Sequence, residues 1–384
     1  MHNAYVIADN IISPLGFSTT DNYNNLLKSL SGIKLVDDQK IYPAPFYSSI
    51  ICSDEIEFHF DRLNAPGIYT RLEKLIILSI KDAVQKTKID AGNEETLIVI
   101  STTKGNIDLI NTIDDNIEKK RLFLWSLAEQ IKYYFNSVNI PVVISNACIS
   151  GVLALIYASR LIENSVYKNV IVTGADIISE FVVSGFHSFH SISEAPCKPF
   201  DINRTGLSLG EGCGTIILSG DRNLSNEAGM ISFCGGAVSN DANHISGPSR
   251  TGDGLFYAIK NTMEEMRNYQ VNSIDYISAH GTATLYNDES EALAISSAGL
   301  ENIPVNSLKG YWGHTLGAAG IIESVAAIQC LRNNILPGTL GFEKHGVSKS
   351  INIIKQSVKK EINSFIKTAS GFGGCNAAIA FVKQ

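Results

Sequence analysis

Twice in this chain a β-branched run gives way to small residues and then to a helix-forming stretch, and a sequence that carries this order twice is held to an α/β architecture. The first instance is Val142-Val143-Ile144, then Ser145-Asn146-Ala147-Cys148, then an apolar run from Ile149 to about Glu163. The second is Val305-Asn306-Ser307, a glycine-rich opening, and a helix pattern from about Leu316 to Arg332. Ile98-Val99-Ile100 and the run from Val170 to Ala175 read as buried strands around the first; Tyr276-Ile277-Ser278 and the run from Ala377 to Val382 do so around the second. The polar run Asp221 to Glu227 is the best linker, dividing the chain into halves 1–220 and 221–384 that together make one compact catalytic unit. Strands alternating with helices predict mostly parallel β-sheets covered by helices. The Cys148 helix and the His314 helix are then counterparts in two halves built alike.

Composition bounds the function without naming it. At 384 residues and 45% hydrophobic content the chain can bury a large core, and a net charge of -7 argues against nucleic acid as a partner. No stretch approaches the roughly 18 apolar residues that a membrane span needs, and Met1-His2-Asn3-Ala4 opens no signal peptide. The seven cysteines form no CxxC pair and no even disulfide framework, so free thiols in a cytoplasm are expected, with no metal.

Among those thiols Cys148 stands where a strand turns into a helix. The first amides of a helix lack intrahelical acceptors and carry partial positive charge, so a thiol there is expected to be biased toward thiolate, from about 8.5 down to roughly 3.5–7.5. Taken alone, a cysteine is more often a small core residue. Two histidines change the weighting: His280 in Ser278-Ala279-His280-Gly281-Thr282-Ala283-Thr284, and His314 in Lys309-Gly310-Tyr311-Trp312-Gly313-His314-Thr315-Leu316-Gly317-Ala318-Ala319-Gly320. Each ends an apolar or β-branched run beside a glycine, which suits a side chain presented into a cleft that backbone approaches closely. The loop Ser370-Gly371-Phe372-Gly373-Gly374-Cys375-Asn376 completes the set.

These segments resemble the β-ketoacyl-acyl carrier protein synthases of the elongating, decarboxylating type, within the thiolase-like superfamily. Lys198 to Gly214 is similar to the family's PFDxxRxGxxxGEG signature and Val305 to Gly320 to its SxKxxxGHTxGAAG, so four ordered motifs carry the likeness over most of the chain. The resemblance implies the five-layered α-β-α-β-α thiolase-like fold, built from two pseudo-repeated halves that meet along one cleft. It also implies a decarboxylating Claisen condensation of an enzyme-bound acyl thioester with malonyl-acyl carrier protein. Cys148 would hold the acyl group, and the backbone amides of Cys148 and Phe372 would receive the oxyanion. His280 and His314, as neutral imidazoles, would donate to the enolate oxygen. Lys309 would supply a fixed positive charge near His314, with Glu323 as its counter-ion across the helix start; Glu323 also reads as an ordinary carboxylate in the first turns of a helix.

Substrate handling follows the same resemblance. Thr282 and Thr284 project to one side of an extended segment and would bond the phosphopantetheine arm, though a pair of threonines bonding their own neighbours reads equally well. Phe372 between glycines would gate the acyl cavity. Asp241 and His244 resemble a loop lining its mouth, with a structural role. No cofactor is implied beyond the phosphopantetheine of acyl carrier protein, and the assembly is a homodimer or a heterodimer with a related subunit. Arg71 and Lys74, at i,i+3 on a predicted helix, and Lys119-Lys120-Arg121 are candidates for docking an acidic carrier, against the plainer reading of a solvated charged face.

The chain also departs from the family pattern. The segment from Ser101 to Pro141 is shorter than usual, Arg204-Thr205-Gly206-Leu207 replaces Arg-Asp-Gly-Phe, and Cys375 replaces a threonine. Tyr311 and Trp312 are bulky and are expected to narrow the mouth. Such changes fit a specialised synthase for a polyene or other secondary lipid. A non-catalytic chain-length subunit would ordinarily lack the nucleophile, and a coenzyme A thiolase is disfavoured by His280 in His-Gly-Thr-Ala-Thr.

Overall fold

The computed structural model describes residues 3–111, 119–224 and 229–384. Ten strands form its main sheet: β1 (Tyr5–Ile12), β2 (Thr96–Ser101), β3 (Val142–Ile144), β4 (Asn169–Asp176), β5 (Gly212–Ser219), β6 (Ile231–Asn240), β7 (Tyr276–Ser278), β8 (Val305–Asn306), β9 (Ser364–Gly371) and β10 (Cys375–Lys383). Their order is β8-β7-β9-β10-β6-β1-β5-β4-β2-β3. The middle is thin, since β1 and β6 pair only at Tyr5 and Ser232. The ladder is therefore two five-stranded sheets joined by one bridge.

The expectation of mostly parallel sheets is corrected. Parallel pairing is confined to β4-β2-β3 and β9-β7-β8, and every junction from β4 through β5, β1, β6 and β10 to β9 is antiparallel. The loop Phe372-Gly373-Gly374 shows why: three residues can only turn a strand back on itself, whereas a parallel return needs a crossover of about a dozen or more. Gly373 and Gly374 take φ of 84° and 71° to make that turn.

Both faces of each sheet are apolar. Along β2, Leu97 and Val99 enter the core between the sheets while Ile98 and Ile100 enter an outer core. Along β10, Ala377, Ile379 and Phe381 face inward and Ala378 and Ala380 outward. Period-two alternation with no polar side is the pattern of a sheet covered on both faces. Helix α1 (Arg71–Gln85), opened by a Thr70–Glu73 capping box, covers β1, β4 and β5, with α2 (Leu124–Phe135) beside it. Helices α3 (Ser150–Glu163) and α7 (Ala319–Asn333) fill the space between the sheets, each touching both. Helix α4 (Glu180–Ser188) lies apart over the cleft residues, and α5 (Asp253–Met266) and α6 (Leu285–Ser297) close the far side. The result is the five-layered α-β-α-β-α arrangement.

The central pair is held unusually close. A methyl at Gly320 would sit 2.5 Å from the Val152 nitrogen, and one at Gly151 would sit 2.9 Å from the Gly317 oxygen, so α3 and the start of α7 cross backbone on backbone. The helix expected from Leu316 opens with a 3-10 turn, Leu316–Ala318, before α7 proper. Of the expected linker, Arg222–Leu224 form a further 3-10 turn and Ser225, Asn226 and Glu227 lie outside the described residues. The seven cysteines are unpaired, and no helix among the described residues is long and apolar enough to cross a membrane.

Candidate active site

The turn after β3 sets the nucleophile. Ala147 adopts a left-handed φ of 43°, a conformation that costs a residue with a Cβ of order 1–3 kcal/mol and persists only where its surroundings hold it. Here the Asn146 N–H donates to Ser150 Oγ at 2.7 Å, and Ser150 Oγ–H donates to the Ala147 carbonyl at 2.6 Å. This elbow delivers the Cys148 sulfur to the inner end of a cavity of about 330 Å³, with the Phe372 amide hydrogen-bonded to it. Gly371 lies against the Cys148 amide, where a methyl would approach to 3.0 Å. The two amides expected to receive an oxyanion therefore both lie close to the Cys148 sulfur.

His314 comes from the other half of the chain. Its Nε2 is 2.9 Å from Cys148 Sγ. Its N–H donates to the Ser208 carbonyl at 2.7 Å and its own carbonyl accepts from Gly210 N–H at 3.0 Å, so the ring is aimed by backbone. Gly313 before it has φ 68° and passes so near Leu209 that a methyl would lie 2.4 Å from that carbonyl. Only glycine fits there.

His280, just past β7, meets His314 edge to face with ring centroids 5.2 Å apart. Its N–H and that of Gly281 donate to the two oxygens of the buried Glu291, at 2.8 and 2.7 Å. The amides of Thr282 and Ala283 donate to Asp288 Oδ1 at 2.9 and 3.1 Å. Both carboxylates lie on α6 at i,i+3, so one helix face cups the whole loop. The reactive atoms of Cys148, His280 and His314 all lie within 4.8 Å of one another.

Lys309 is buried beside the two histidines. Its ammonium donates to the His280 carbonyl at 2.6 Å, lies 3.4 Å from His280 Nδ1 and pairs with Glu323 Oε1 at 2.7 Å. Its direct contact is thus with His280, while its charge also acts on His314, the ring the sequence places nearest to it. Glu323 is the expected counter-ion, and it also holds a second buried ammonium, Lys367 at 2.5 Å from Oε2, which sequence reading missed. A lone charge inside Phe365-Ile366-Lys367 was the available signal. Asp288 and Glu291 were missed too, as was Asp176, which ends an apolar strand and accepts from Gly317 N–H at 2.7 Å, Thr103 N–H at 2.9 Å and the Thr102 hydroxyl at 2.9 Å.

Burial, followed by the charge of Lys309, holds both imidazoles well below the ordinary histidine range. Burial also pushes the Cys148 thiol up to about 11, with Lys104 and Lys309 pulling down against it. This corrects the expected thiolate bias: Cys148 is 7% exposed, and loss of hydration outweighs the amide dipoles, with α3 opening only at Ser150. Burial thus favours a neutral thiol beside a neutral imidazole. The three donor atoms could meet a soft cation, but the two buried ammonium groups set a positive field against one.

Phe372, Thr282 and Thr284 line the cavity. The Phe372 ring lies 5.6 Å from Phe186 and 5.0 Å from Phe189, and the two threonine hydroxyls are 3.0 Å apart, bonding each other. Asp241 lines it as well, but its oxygens accept from Asn376 Nδ2 at 2.9 Å and Ser249 N–H at 2.8 Å, while His244 is exposed and its Nδ1 accepts from Ser246 N–H at 3.2 Å. Tyr311 and Trp312 do not narrow the mouth. Both are core residues, drawn inward by their apolar area, and the Tyr311 hydroxyl donates to the Gly338 carbonyl at 2.9 Å.

Three of the basic candidates are internally committed. Arg71 pairs with the buried Glu211 at 2.6 Å, Lys74 with Glu57 at 2.5 Å, and Arg121 with the buried Glu73. Lys119 and Lys120 are exposed beside Arg121. Pairing with nearer carboxylates leaves Arg71, Lys74 and Arg121 little field to offer a carrier protein.

Two family models match the chain, and solved structures share its fold. Residues 73–223 match the family model described as Beta-ketoacyl synthase, N-terminal domain, and residues 231–343 match Beta-ketoacyl synthase, C-terminal domain. The chain is 28% identical to the putative mitochondrial 3-oxoacyl-[acyl-carrier-protein] synthase of Schizosaccharomyces pombe, over 97% of each chain. It is 26% identical to 3-oxoacyl-[acyl-carrier-protein] synthase 2 of Rhizobium meliloti, over 99% of this chain and 98% of that one. Among solved structures, the ketosynthase ApeO in complex with its chain length factor ApeC from Xenorhabdus doucetiae matches with a TM-score of 0.84 at 24% identity, over 100% of this chain and 98% of that one. The ishigamide ketosynthase/chain length factor matches with a TM-score of 0.88 at 21% identity, over 100% and 99%.

Proposed function

The chain belongs to the β-ketoacyl synthase family of the thiolase-like superfamily, and on that premise we propose that it condenses a Cys148-bound acyl group with malonyl-acyl carrier protein, releasing CO2 and a β-ketoacyl-acyl carrier protein. The observation that carries this reading is the convergence of Cys148, His280 and His314 within 4.8 Å at the end of one cavity.

Acyl transfer comes first. Cys148 Sγ attacks the carbonyl of an acyl thioester, its proton passes through His314 Nε2, and the carrier thiol leaves with that proton. A thiol poised near 11 needs this relay, and an imidazole held far below its usual range returns the proton readily. The Cys148 and Phe372 amides receive the oxyanion, an interaction worth about 2.7–4 kcal/mol per donor in such sites.

Malonyl thioester then enters along the Thr282 and Thr284 side of the cavity. Because Lys309 donates to Nδ1 of His280, the hydrogen of that ring sits on Nε2 and is free to donate to the thioester oxygen. The malonyl carboxylate leaves as CO2, its electron pair forms the enolate, and the enolate carbon attacks the acyl carbonyl on Cys148. Cleavage of the carbon–sulfur bond returns the sulfur, which takes up a proton.

The halves 1–220 and 221–384 act as one catalytic unit with no cofactor beyond the carrier's phosphopantetheine. The pathway we assign is fatty acid, polyene or polyketide-type synthesis of a specialised kind, supported by Thr205 and Leu207, two departures from the family signature that line the cavity. The partners are acyl carrier protein and a second subunit, most simply an identical one, supported by β3 ending the sheet with exposed Phe123, Trp125 and Tyr133 on the neighbouring segment. A working free thiol requires a reducing compartment, and we assign the cytoplasm.

Intact-mass analysis after incubation with a panel of acyl carriers tests the reading. Wild type should gain one acyl group and Cys148→Ala none. CO2 release from malonyl-carrier protein should persist in Cys148→Gln and fall in His280→Ala; an unaffected His280→Ala would refute the division of labour.

A further inference from the structure

Two lysines are fully buried around one carboxylate beside the reactive cluster. Lys309 reaches Glu323 Oε1 and Lys367 reaches Oε2. Lys367 enters from β9, a strand in which its neighbours Phe365 and Ile366 are core residues, and its ammonium also donates to the carbonyls of Ala279 at 3.0 Å and Ser278 at 3.3 Å. Packing does not require a charge there. Burying an ammonium costs several kcal/mol even after relaxation, so a second cation on a carboxylate that one lysine already neutralises needs another reason.

The geometry points to one. We propose that Lys367 is a positioning residue for the condensation, gripping the strand end that carries His280 and supplying the second cation that keeps charge off the two imidazoles. The inference rests on the condensation reading above.

The groups facing the imidazoles make the sign definite. Lys309 faces them from the short helix after β8, Lys367 from β9 and Lys104 from the segment after β2. Against these stand Glu323 on α7, Glu291 on α6, Asp176 at the end of β4 and the neutral thiol of Cys148. Glu291 is occupied by three donors at the His280 loop: the amides of His280 and Gly281 and the Thr368 hydroxyl take its oxygens, leaving Glu323 as the carboxylate that meets the lysines. Two ammonium groups on Glu323 leave a positive excess behind His280, and the charge of Lys367 adds to burial and Lys309 in the lowering direction on both rings. A neutral ring can donate to an enolate oxygen and then release it; a charged one would hold the enolate as enol and would be unable to accept the thiol proton. Lys367 touches no substrate in this scheme and works entirely through His280, His314 and Glu323.

The test follows the imidazole 15N resonances of His280 and His314 from pH 8 to 5 in wild type, Lys367→Met and Lys367→Arg, with malonyl-carrier decarboxylation measured alongside. In wild type and Lys367→Arg both rings should stay neutral throughout. In Lys367→Met at least one should titrate within the window, and the acid limb of decarboxylation should move up by about one pH unit with KM unchanged. A folded Lys367→Met whose rings stay neutral to pH 5 overturns the proposal. So does a wild type in which either ring is charged at pH 6, a result that needs no variant to fold. Rings that behave as expected in a protein that releases no CO2 from malonyl-carrier protein would overturn the condensation reading while upholding the charge exclusion.

Discussion

His314 Nε2 stands 2.9 Å from Cys148 Sγ although the two residues are 166 positions apart, and the distance is set by the crossing of α3 and α7 at Gly151 and Gly320. The nucleophile and its proton acceptor are each placed by a turn at the head of one of these helices. Whatever spaces the helices spaces the reaction.

Gly320→Ala is therefore expected to do damage out of proportion to one methyl. The added carbon would fall 2.5 Å from the Val152 nitrogen, and backbone cannot step aside as a side chain can. Urea unfolding should show a loss of about 1–3 kcal/mol, accompanied by slower acylation of Cys148. A variant as stable and as fast as wild type would show that the helices can part without cost.

Alkylation of Cys148 by iodoacetamide, followed by peptide mass spectrometry across pH, should rise toward a midpoint near 11 in the substrate-free enzyme. Burial favours the thiol, so reactivity grows as pH climbs. A midpoint below 7.5 would restore the thiolate expected from the helix terminus and displace the proton relay through His314.

The depressed imidazoles tie stability to pH. A ring neutral in the fold but protonated in the unfolded chain contributes stability in full above about 6.5, the unfolded value, and loses it as pH falls toward the folded one. The unfolding free energy of wild type relative to His280→Gln should drop by about 1.4 kcal/mol per pH unit below that point. Comparing the two proteins cancels the carboxylates whose burial acts in the opposite direction. A flat difference from pH 7 to 5 would mean the ring is charged in the fold.

Glu291→Ala should slow decarboxylation while leaving Cys148 alkylation in place. It strips the acceptor from the amides of His280 and Gly281, and orphaned buried donors cost about 1–3 kcal/mol. Chemical denaturation and CO2 release should fall together; unchanged CO2 release would mean the loop holds itself.

Arg71→Ala should destabilise the protein by about 3 kcal/mol, because Glu211 is left buried without its cation. Thermal unfolding decides it. A variant of native stability with a raised KM for carrier-bound substrate would return Arg71 to the docking role that its position on a helix first indicated.

Much of the candidate site was legible because each part announces itself locally. Cys148 follows an apolar strand, His280 and His314 sit beside glycines, and Lys309 and Glu323 lie close enough in sequence for one helix start to join them. Lys367 was not legible, since one lysine in an apolar strand gives no sign of which distant carboxylate it meets. Arg71 and Lys74 misled for the same reason: their i,i+3 spacing is visible, while Glu211 and Glu57, which neutralise them, are not neighbours in the chain.

The order of strands and helices, the apolar face of each and the identity of the reactive side chains were determined by the sequence alone, because periodicity, glycine placement and residue chemistry act over a few residues. Only the tertiary structure decided that the strands meeting at the centre run antiparallel, that Lys309 serves His280, and that the sulfur rests as a thiol. Those properties depend on hydration lost and charges gained from segments far apart in the chain, and neither exists until the two sheets close over α3 and α7.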